Sequence, residues 1–200
     1  MEAQIARGAA GKQRLLDAVI EHFSADGLAD QSLRRIAEAV GSSHRMLLYH
    51  FGSKDGLLLE VAQAVEVRTQ QQLADVGMVA GERTEEVVRR MWAYVADPEL
   101  AASERLFFAL YGRALQGDPA VAPLLMGDIE HWVEANDVLL EGAGAGAAGV
   151  PREVVRANAR LGLAVVRGLL LDLLATGDRA GVDAALDVFA RRYAGSWWED

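Results

Sequence analysis

Apolar residues recur three and four positions apart along nearly the whole chain of 200 residues. This spacing places them on one side of an α-helix, whereas no segment shows the strict alternation that indicates a β-strand. Residues 12–25, KQRLLDAVIEHFSA, are a clear example, with Leu15, Leu16, Val19, Ile20 and Phe23 on one face. The pattern predicts an all-α protein with strand content near zero.

The composition limits the class of protein. Hydrophobic residues make up 52% of the chain and only 4 residues are proline, which is ample for a buried helical core. The absence of cysteine excludes disulfides, thiol catalysis and thiolate metal sites. No segment has the apolar run of a signal peptide or of a membrane-spanning helix. We therefore expect a cytoplasmic protein without a membrane partner.

Serine and glycine residues stand at the predicted helix ends in the first part of the chain. Ser32 is placed to cap a helix with the sequence LRRIAEAV, and Gly41 to end it. A third helix is predicted from about Ser43 to Tyr49. Ser53 is placed to cap a long fourth helix. Three helices joined by tight turns are thus followed by a long helix that leads out of them.

The remainder of the chain is also predicted to be helical. Helices are expected over 84–96 and 99–115, and in a segment from Pro119 and Pro123 to about residue 141. Two further helices, 151–176 and 178–195, follow a glycine-rich segment, GAGAGAAG, at 142–149. This segment lacks the GKS or GKT ending and the preceding strand of a phosphate-binding loop, so we interpret it as a mobile loop.

The turn VGSS and its two flanking helices have the layout of a helix-turn-helix. In this motif the core holds the first helix, and the N-terminal residues of the second face the major groove of DNA. Residues 41–54, GSSHRMLLYHFGSK, interleave hydrogen-bond donors with apolar residues. We expect the donors to face DNA, and Met46, Leu47 and Phe51 to turn back into the core.

The charge distribution agrees with a local DNA-binding surface. The whole chain has a formal net charge of −9, which disfavours nonspecific coating of nucleic acid. Residues 31–54 contain only one acidic residue, Glu38, and four basic ones: Arg34, Arg35, Arg45 and Lys54. Alternatively, the two adjacent arginines form a solvated helix face, and the histidines at 44 and 50 are ordinary helix residues.

From KQRLLDAVIEHFSADG through SLRRIAEAVG to YHFGSKDGLL, the chain resembles the TetR family of transcriptional regulators. The resemblance covers about residues 12–60. It implies an N-terminal three-helix helix-turn-helix DNA-binding domain, 1–52, and a larger helical ligand-binding and dimerisation domain, 53–200. The helix at about 53–75 would connect them. It also implies a homodimer.

The resemblance further implies that Ser43, Tyr49, His50 and Lys54 contact DNA, mostly its backbone. The chain departs from the family at residues 45–48, RMLL, where a glycine, a small or hydroxyl residue, a leucine and a tyrosine are common. Arg45 is a candidate for reading a guanine, a contact worth about 1–3 kcal/mol of base discrimination. The predicted DNA-binding residues are Ser32, Arg34, Arg35, Ser43, His44, Arg45, Tyr49, His50 and Lys54.

Residues 85–141 are rich in aromatic side chains, and apolar pockets with a few polar groups are typical of small-molecule sites. The resemblance implies an effector pocket among these helices. We nominate Trp92, Phe107, Tyr111 and Trp132 for its lining. Alternatively, these side chains simply fill a core.

Arg167 interrupts the apolar segment LGLAVVRGLLLDLL. A buried arginine must be paired, and Asp172, Asp128, an acidic ligand or a partner subunit could supply the opposite charge. We include Arg167 among the predicted ligand-binding residues. The last two helices carry more apolar side chains than one chain would cover, namely Leu163, Val166, Leu170, Leu173, Leu186 and Phe189, and are expected to form the dimer interface.

The four histidines lack metal-ligand spacing and no Ser-His-Asp arrangement is visible, so we predict no metal, no other cofactor and no enzymatic activity. The resulting hypothesis is a ligand-responsive transcriptional regulator, with repression as the family's usual mode. As a homodimer it would bind a palindromic double-stranded DNA operator through residues 32–50, and a small molecule in the C-terminal domain would release it. The alternative is an all-helical protein whose C-terminal pocket serves an enzymatic or protein-interaction role.

Overall fold

The computed structural model describes residues 2–28, 31–76, 84–122 and 151–193. Every regular element in these ranges is helical, which confirms the all-α prediction. The α-helices are α1 (Glu2–Asp26), α2 (Leu33–Ala39), α3 (His44–Phe51), α4 (Lys54–Val76), α5 (Thr84–Val95), α6 (Ala101–Leu115), α7 (Arg152–Thr176) and α8 (Arg179–Tyr193). A short 3-10 helix, Pro98–Leu100, precedes α6.

Two helix predictions need comment. Helix α1 begins ten residues before the predicted start, because Gly8 and Gly11 do not interrupt it. A glycine inside a helix costs only about 1 kcal/mol, which neighbouring residues with high helix propensity can offset. The predicted helix that ends near residue 141 and the glycine-rich segment 142–149 lie outside the described residues.

The chain forms two compact units. The first comprises Met1–Thr69 and Ala102–Leu125, and the second comprises Gln70–Ala101 and Met126–Asp200. The boundary at residue 69 lies within α4. The predicted DNA-binding domain, 1–52, is defined by DNA contact and not by compactness. The division into two compact units therefore does not test this domain, which stays a prediction.

The first unit has one apolar core, to which five helices contribute. Its fully buried residues include Val19 and Phe23 of α1, Leu47 of α3 and Leu57 of α4. Leu110 of α6 belongs to the same core. The three N-terminal helices and α6 therefore pack as one body, as the apolar stripes of amphipathic helices require.

In the second unit, α8 packs against both α5 and α7. Buried side chains between these helices include Val87 and Val95 of α5 and Val182 of α8. Polar bonds add to the packing, since the Arg179 guanidinium donates to the Ala96 carbonyl oxygen at 2.7 Å. None of the described helices is long and apolar enough to cross a membrane.

Three of the six apolar residues named for the predicted dimer interface are not exposed on the single chain. Leu170, Leu186 and Phe189 are buried within the chain, because α7, α8 and α5 pack on one another. Leu163, Val166 and Leu173 are partly buried. Other apolar residues of these helices are exposed instead: Val154, Leu161 and Leu171 of α7 and Val188 of α8.

Candidate nucleic-acid interface

The turn between α2 and α3 is closed by backbone hydrogen bonds. The Gly41 N–H donates to the Glu38 carbonyl at 3.2 Å, and the Ser42 N–H donates to the Ala37 carbonyl at 2.8 Å. These two bonds close a Schellman motif, in which the residue after the helix adopts a left-handed conformation. Gly41 has a φ of 65°, which a residue with a side chain rarely adopts. The turn thus sets the direction in which α3 leaves α2.

Three serines cap the helices of this region. The hydroxyl oxygens of Ser32, Ser43 and Ser53 accept hydrogen bonds from backbone N–H groups three residues later, at 3.3, 3.2 and 2.9 Å. In each case the cap satisfies an N–H group that the helix itself leaves without a partner. The serine hydroxyl hydrogens are not used in these bonds, so they can still donate to a phosphate oxygen.

Helix α3 separates a buried side from an exposed side. Leu47 is 0% exposed and Phe51 is buried one turn later, whereas Tyr49 is 77% exposed. The prediction that Met46 turns into the core is wrong, because its side chain is 42% exposed. An eight-residue helix buries only the narrow stripe of positions four apart, and Met46 lies about a quarter turn from that stripe.

The end of α3 and the start of α4 form a second tight connection. Gly52 has a φ of 75°, and its N–H donates to the Leu48 carbonyl at 2.9 Å. Gly56 lies so close to the Phe51 carbonyl oxygen that a Cβ atom there would overlap it. This connection places Lys54 at the first turn of α4, beside the end of α3.

All nine predicted DNA-binding residues lie on α2, α3 or the helix starts. Seven are exposed and two, His50 and Lys54, are partly buried. Arg34 pairs with Glu38 at 3.4 Å, and both side chains are largely exposed. Such exposed pairs are weak, so the arginine remains available to phosphate. The alternative, a solvated helix face for Arg34 and Arg35, is equally consistent with their exposure.

The structure brings residues from distant parts of the chain close to α3 and the start of α4, and sequence reasoning did not identify them. The Lys12 ammonium lies 5.7 Å from the centre of the Phe51 ring and 2.6 Å from a Glu60 carboxylate oxygen. Arg113, at the end of α6, donates from Nε to the Asp118 carboxylate at 2.8 Å. These residues are far from 31–54 in sequence, so spacing alone gives no signal for them.

Asp118 is held in its charged form by its neighbours. The hydrogen bond from Arg113, followed by one from the Ala120 N–H at 3.0 Å, lowers the pKa of the Asp118 carboxyl below its ordinary value. Burial opposes this shift, and the positive charge of Lys54 adds to it. The turn after α6 therefore carries a negative charge that interacts with the predicted DNA-contacting Lys54.

The predicted effector-binding residues are placed in different parts of the chain. Phe107 and Tyr111 lie on α6, partly buried, with ring centres 5.9 Å apart. Trp92 of α5 is buried, and its indole N–H donates to Asp183 at 2.6 Å. Trp132 lies outside the described residues. The choice between pocket lining and core filling is not tested, and the pocket stays a prediction.

Arg167 is less enclosed than its sequence context suggests. Its side chain on α7 is only partly buried, so the premise of a buried arginine is wrong for the single chain. The helix turns the position away from its apolar sequence neighbours, since adjacent residues point in directions about 100° apart. Asp172 is exposed, and the other suggested partner, Asp128, lies outside the described residues.

Metal-binding groups do not gather anywhere in the described ranges, where no cluster of three or more histidine, aspartate or glutamate side chains could hold a metal ion. Helix α3 is capped by Ser43 and presents hydrogen-bond donors on its exposed side.

Residues 15–61 match the family model described as bacterial regulatory proteins, tetR family. Over this range the chain carries the N-terminal region of the TetR family. The matched residues include all of α2 and α3, with the turn between them, and the start of α4.

Two named proteins to which the chain is similar are transcriptional repressors. It is 27% identical over 131 residues to the HTH-type transcriptional repressor NicS of Pseudomonas putida, a match that covers 62% of each chain. It is 31% identical over 88 residues to the repressor AcnR of Corynebacterium glutamicum, covering 44% of this chain and 42% of that one. The matches thus span less than two thirds of these relatives' length.

Solved structures show the same fold over a longer range. GusR of Salmonella enterica superposes with a TM-score of 0.74 at 19% identity, covering 94% of this chain and 95% of GusR. A transcriptional regulator from Rhodococcus sp. Rha1 gives 0.73 at 21% identity, covering 90% and 93%. The relatives and fold neighbours named here are regulators, which agrees with the prediction that the chain is not an enzyme.

Proposed function

We propose that the protein is a transcriptional repressor that binds a palindromic DNA operator as a homodimer and is released by a small-molecule effector. The observation that carries the DNA-binding part is the exposed side of α3. It presents Arg45 and Tyr49 outward while Leu47 anchors the helix in the core. Arginine and tyrosine side chains donate to base edges and phosphate oxygens, which is the chemistry of groove contact.

Operator symmetry follows from the proposed homodimer. Two copies of α3 about 34–36 Å apart, one turn of DNA, would read two equivalent half-sites. The exposed apolar side chains of α7 and α8, such as Leu161 and Leu171, support an interface between copies because water is a poor environment for them. The compartment that contains operator DNA is the bacterial cytoplasm, and we propose that the protein acts there.

The effector part of the proposal rests on α6. Phe107 packs against the core that also contains Leu47 of α3, so a ligand touching this helix could displace the body that holds the recognition helix. By linkage, the factor by which such a ligand lowers operator affinity equals the factor by which the operator lowers ligand affinity. Phe107, Tyr111, Trp92, Trp132 and Arg167 remain the proposed ligand-contacting residues.

The DNA-binding proposal is tested with the full chain and duplex DNA from upstream of its own coding region, by fluorescence anisotropy at several salt concentrations. We expect Arg45→Ala to lose about 1–3 kcal/mol of binding free energy. Arg160→Ala removes an exposed arginine of α7 and should bind as the native chain does. Affinity should fall steeply as salt rises, because phosphate contacts release counterions.

Equal affinity of the native chain for the specific duplex and a scrambled one, or an unchanged affinity in Arg45→Ala, would contradict this assignment. The second function class, an interaction protein that uses its helix surfaces without DNA, predicts that outcome. For the effector, small molecules are screened for release of bound operator, and Tyr111→Ala should weaken the response of any active compound. Release that is unaffected by substitutions at all five proposed positions would place the effector site elsewhere.

A further inference from the structure

Two apolar side chains lie on the exposed side of α3, where a DNA-reading helix meets the groove. Met46 is 42% exposed and Leu48 is 40% exposed, although Leu47 between them is fully buried. Successive residues of a helix point about 100° apart, so Met46 and Leu48 flank opposite edges of the outward face. Arg45 and Tyr49 lie between them on that face.

Neither side chain belongs to the buried core of the first unit. The buried stripe of α3 consists of Leu47 and Phe51, and its start is fixed by the Ser43 cap. Exposing methionine and leucine side chains to water costs free energy, roughly in proportion to the apolar area exposed. Their exposure in the free chain therefore leaves apolar surface that a bound partner can cover.

The surroundings of these side chains identify the partner. Arg34, Arg35, Arg45 and Lys54 lie on the helices of the same motif, with Glu38 as the one acidic residue of the segment 31–54. A basic surface suits a polyanion rather than an apolar peptide. In the major groove the one apolar group that a base presents is the C5-methyl of thymine.

We propose that Met46 and Leu48 contact thymine methyl groups that flank the bases faced by Arg45. The inference rests on the proposed function and deepens it, because it specifies part of the operator. Each half-site should carry thymine on one or both sides of the position that the arginine reads. The two residues then act as specificity determinants, since cytosine has only a hydrogen at C5, where thymine has its methyl group, and an amino group in place of the thymine O4.

The test uses the operator recovered by selecting a random DNA pool with the full chain. Each thymine of the half-site is replaced singly by deoxyuridine, which keeps the base pair and removes only the methyl group. We expect affinity to fall about three- to fivefold at one or two thymines, the effect of exposing one methyl-sized apolar group. In Met46→Ala or Leu48→Ala, the loss at the corresponding thymine should disappear.

Val67→Ala is the matched control, because Val67 is an exposed apolar residue of α4 that lies thirteen residues beyond Lys54, about 20 Å along the helix. It should leave every deoxyuridine penalty unchanged. Circular dichroism checks that the variants remain folded. A selected half-site without thymine, a binding curve insensitive to deoxyuridine, or penalties that persist in both alanine variants would overturn the inference. If no sequence is enriched at all, the proposed DNA-binding function fails with it.

Discussion

Adjacent side chains on α3 have opposite environments, and this contrast governs what each contributes. Leu47 is fully buried in a core shared by α1, α4 and α6, whereas Leu48 is 40% exposed. Both residues are leucines, and they are neighbours in the sequence. Their energetic roles differ because packing against distant helices, and not side-chain type, sets how much apolar area leaves water.

Replacing Leu47 by alanine should destabilise the chain by about 2–5 kcal/mol, because a cavity opens in a close-packed core. Leu48→Ala removes the same atoms from the surface and should cost less than about 1 kcal/mol. Urea unfolding followed by circular dichroism measures both values. Similar losses in the two variants would show that α3 is not oriented as described.

The helices themselves depend on local features at their ends. Ser32, Ser43 and Ser53 cap three consecutive helices, and Gly41 and Gly52 allow the left-handed turns that follow two of them. Helices α2 and α3 have only 7 and 8 residues, so their own hydrogen bonds do little to stabilise them. The caps and turns therefore fix where each helix begins and how α3 is presented.

A pair of glycine substitutions separates steric from conformational effects. Gly56→Ala should destabilise the chain by about 1–3 kcal/mol, because the new methyl group would overlap the Phe51 carbonyl oxygen. Gly112, inside α6, has no atom within 4 Å of the position of a Cβ atom. Gly112→Ala should stabilise by about 0.5–1 kcal/mol, because alanine loses less backbone entropy in a helix. Differential scanning calorimetry shows whether each variant is more or less stable than the native chain. A stabilised Gly56→Ala would contradict the close approach of Gly56 to the Phe51 carbonyl oxygen.

Across the chain, charge and apolar surface are distributed unevenly. The formal net charge is −9, yet the segment 31–54 is basic. Exposed apolar side chains remain on α7 and α8 after the chain has folded. Under the proposed function, we expect the basic segment to attract a polyanion and the exposed apolar surface to mediate association between copies.

The proposed homodimer gives a direct prediction. Leu171→Glu places a charge on an exposed apolar position of α7, and we expect it to raise the dimer dissociation constant at least tenfold, since an uncompensated charge opposes burial. Leu115→Glu makes the same change on α6 and should leave association unchanged. Sedimentation velocity over a concentration series gives both constants. A native chain that remains monomeric at high concentration would contradict the interface.

Stability should depend on pH through Asp118. Because its folded pKa lies below the ordinary value of about 3.9, the carboxylate contributes stability above that pH. The contribution is lost as pH falls through the folded pKa. Asp118→Asn should therefore lower the free energy of unfolding near pH 7 and flatten its decline in acid. Urea titrations from pH 7 to about 3 measure this, with Glu21→Gln as a charge-matched change at an exposed residue. An identical acid decline in Asp118→Asn and the native chain would contradict the assignment.

Local sequence determined the helical class, the helix-turn-helix and the three serine caps, because periodicity and capping involve residues only three or four apart. It also identified Ser43, Arg45 and Tyr49 as outward-facing candidates. The family match over residues 15–61 agrees with that assignment of the motif.

Burial, in contrast, was decided by tertiary structure. The sequence predicted a buried Met46 and Arg167, but the first is exposed and the second only partly buried. It placed Leu170 in the predicted dimer interface, but other helices of its unit cover this residue. It gave no signal for the hydrogen bond of Trp92 to Asp183, ninety-one positions away. Which face of a helix is covered depends on segments distant along the chain, and their arrangement is a property of the folded structure.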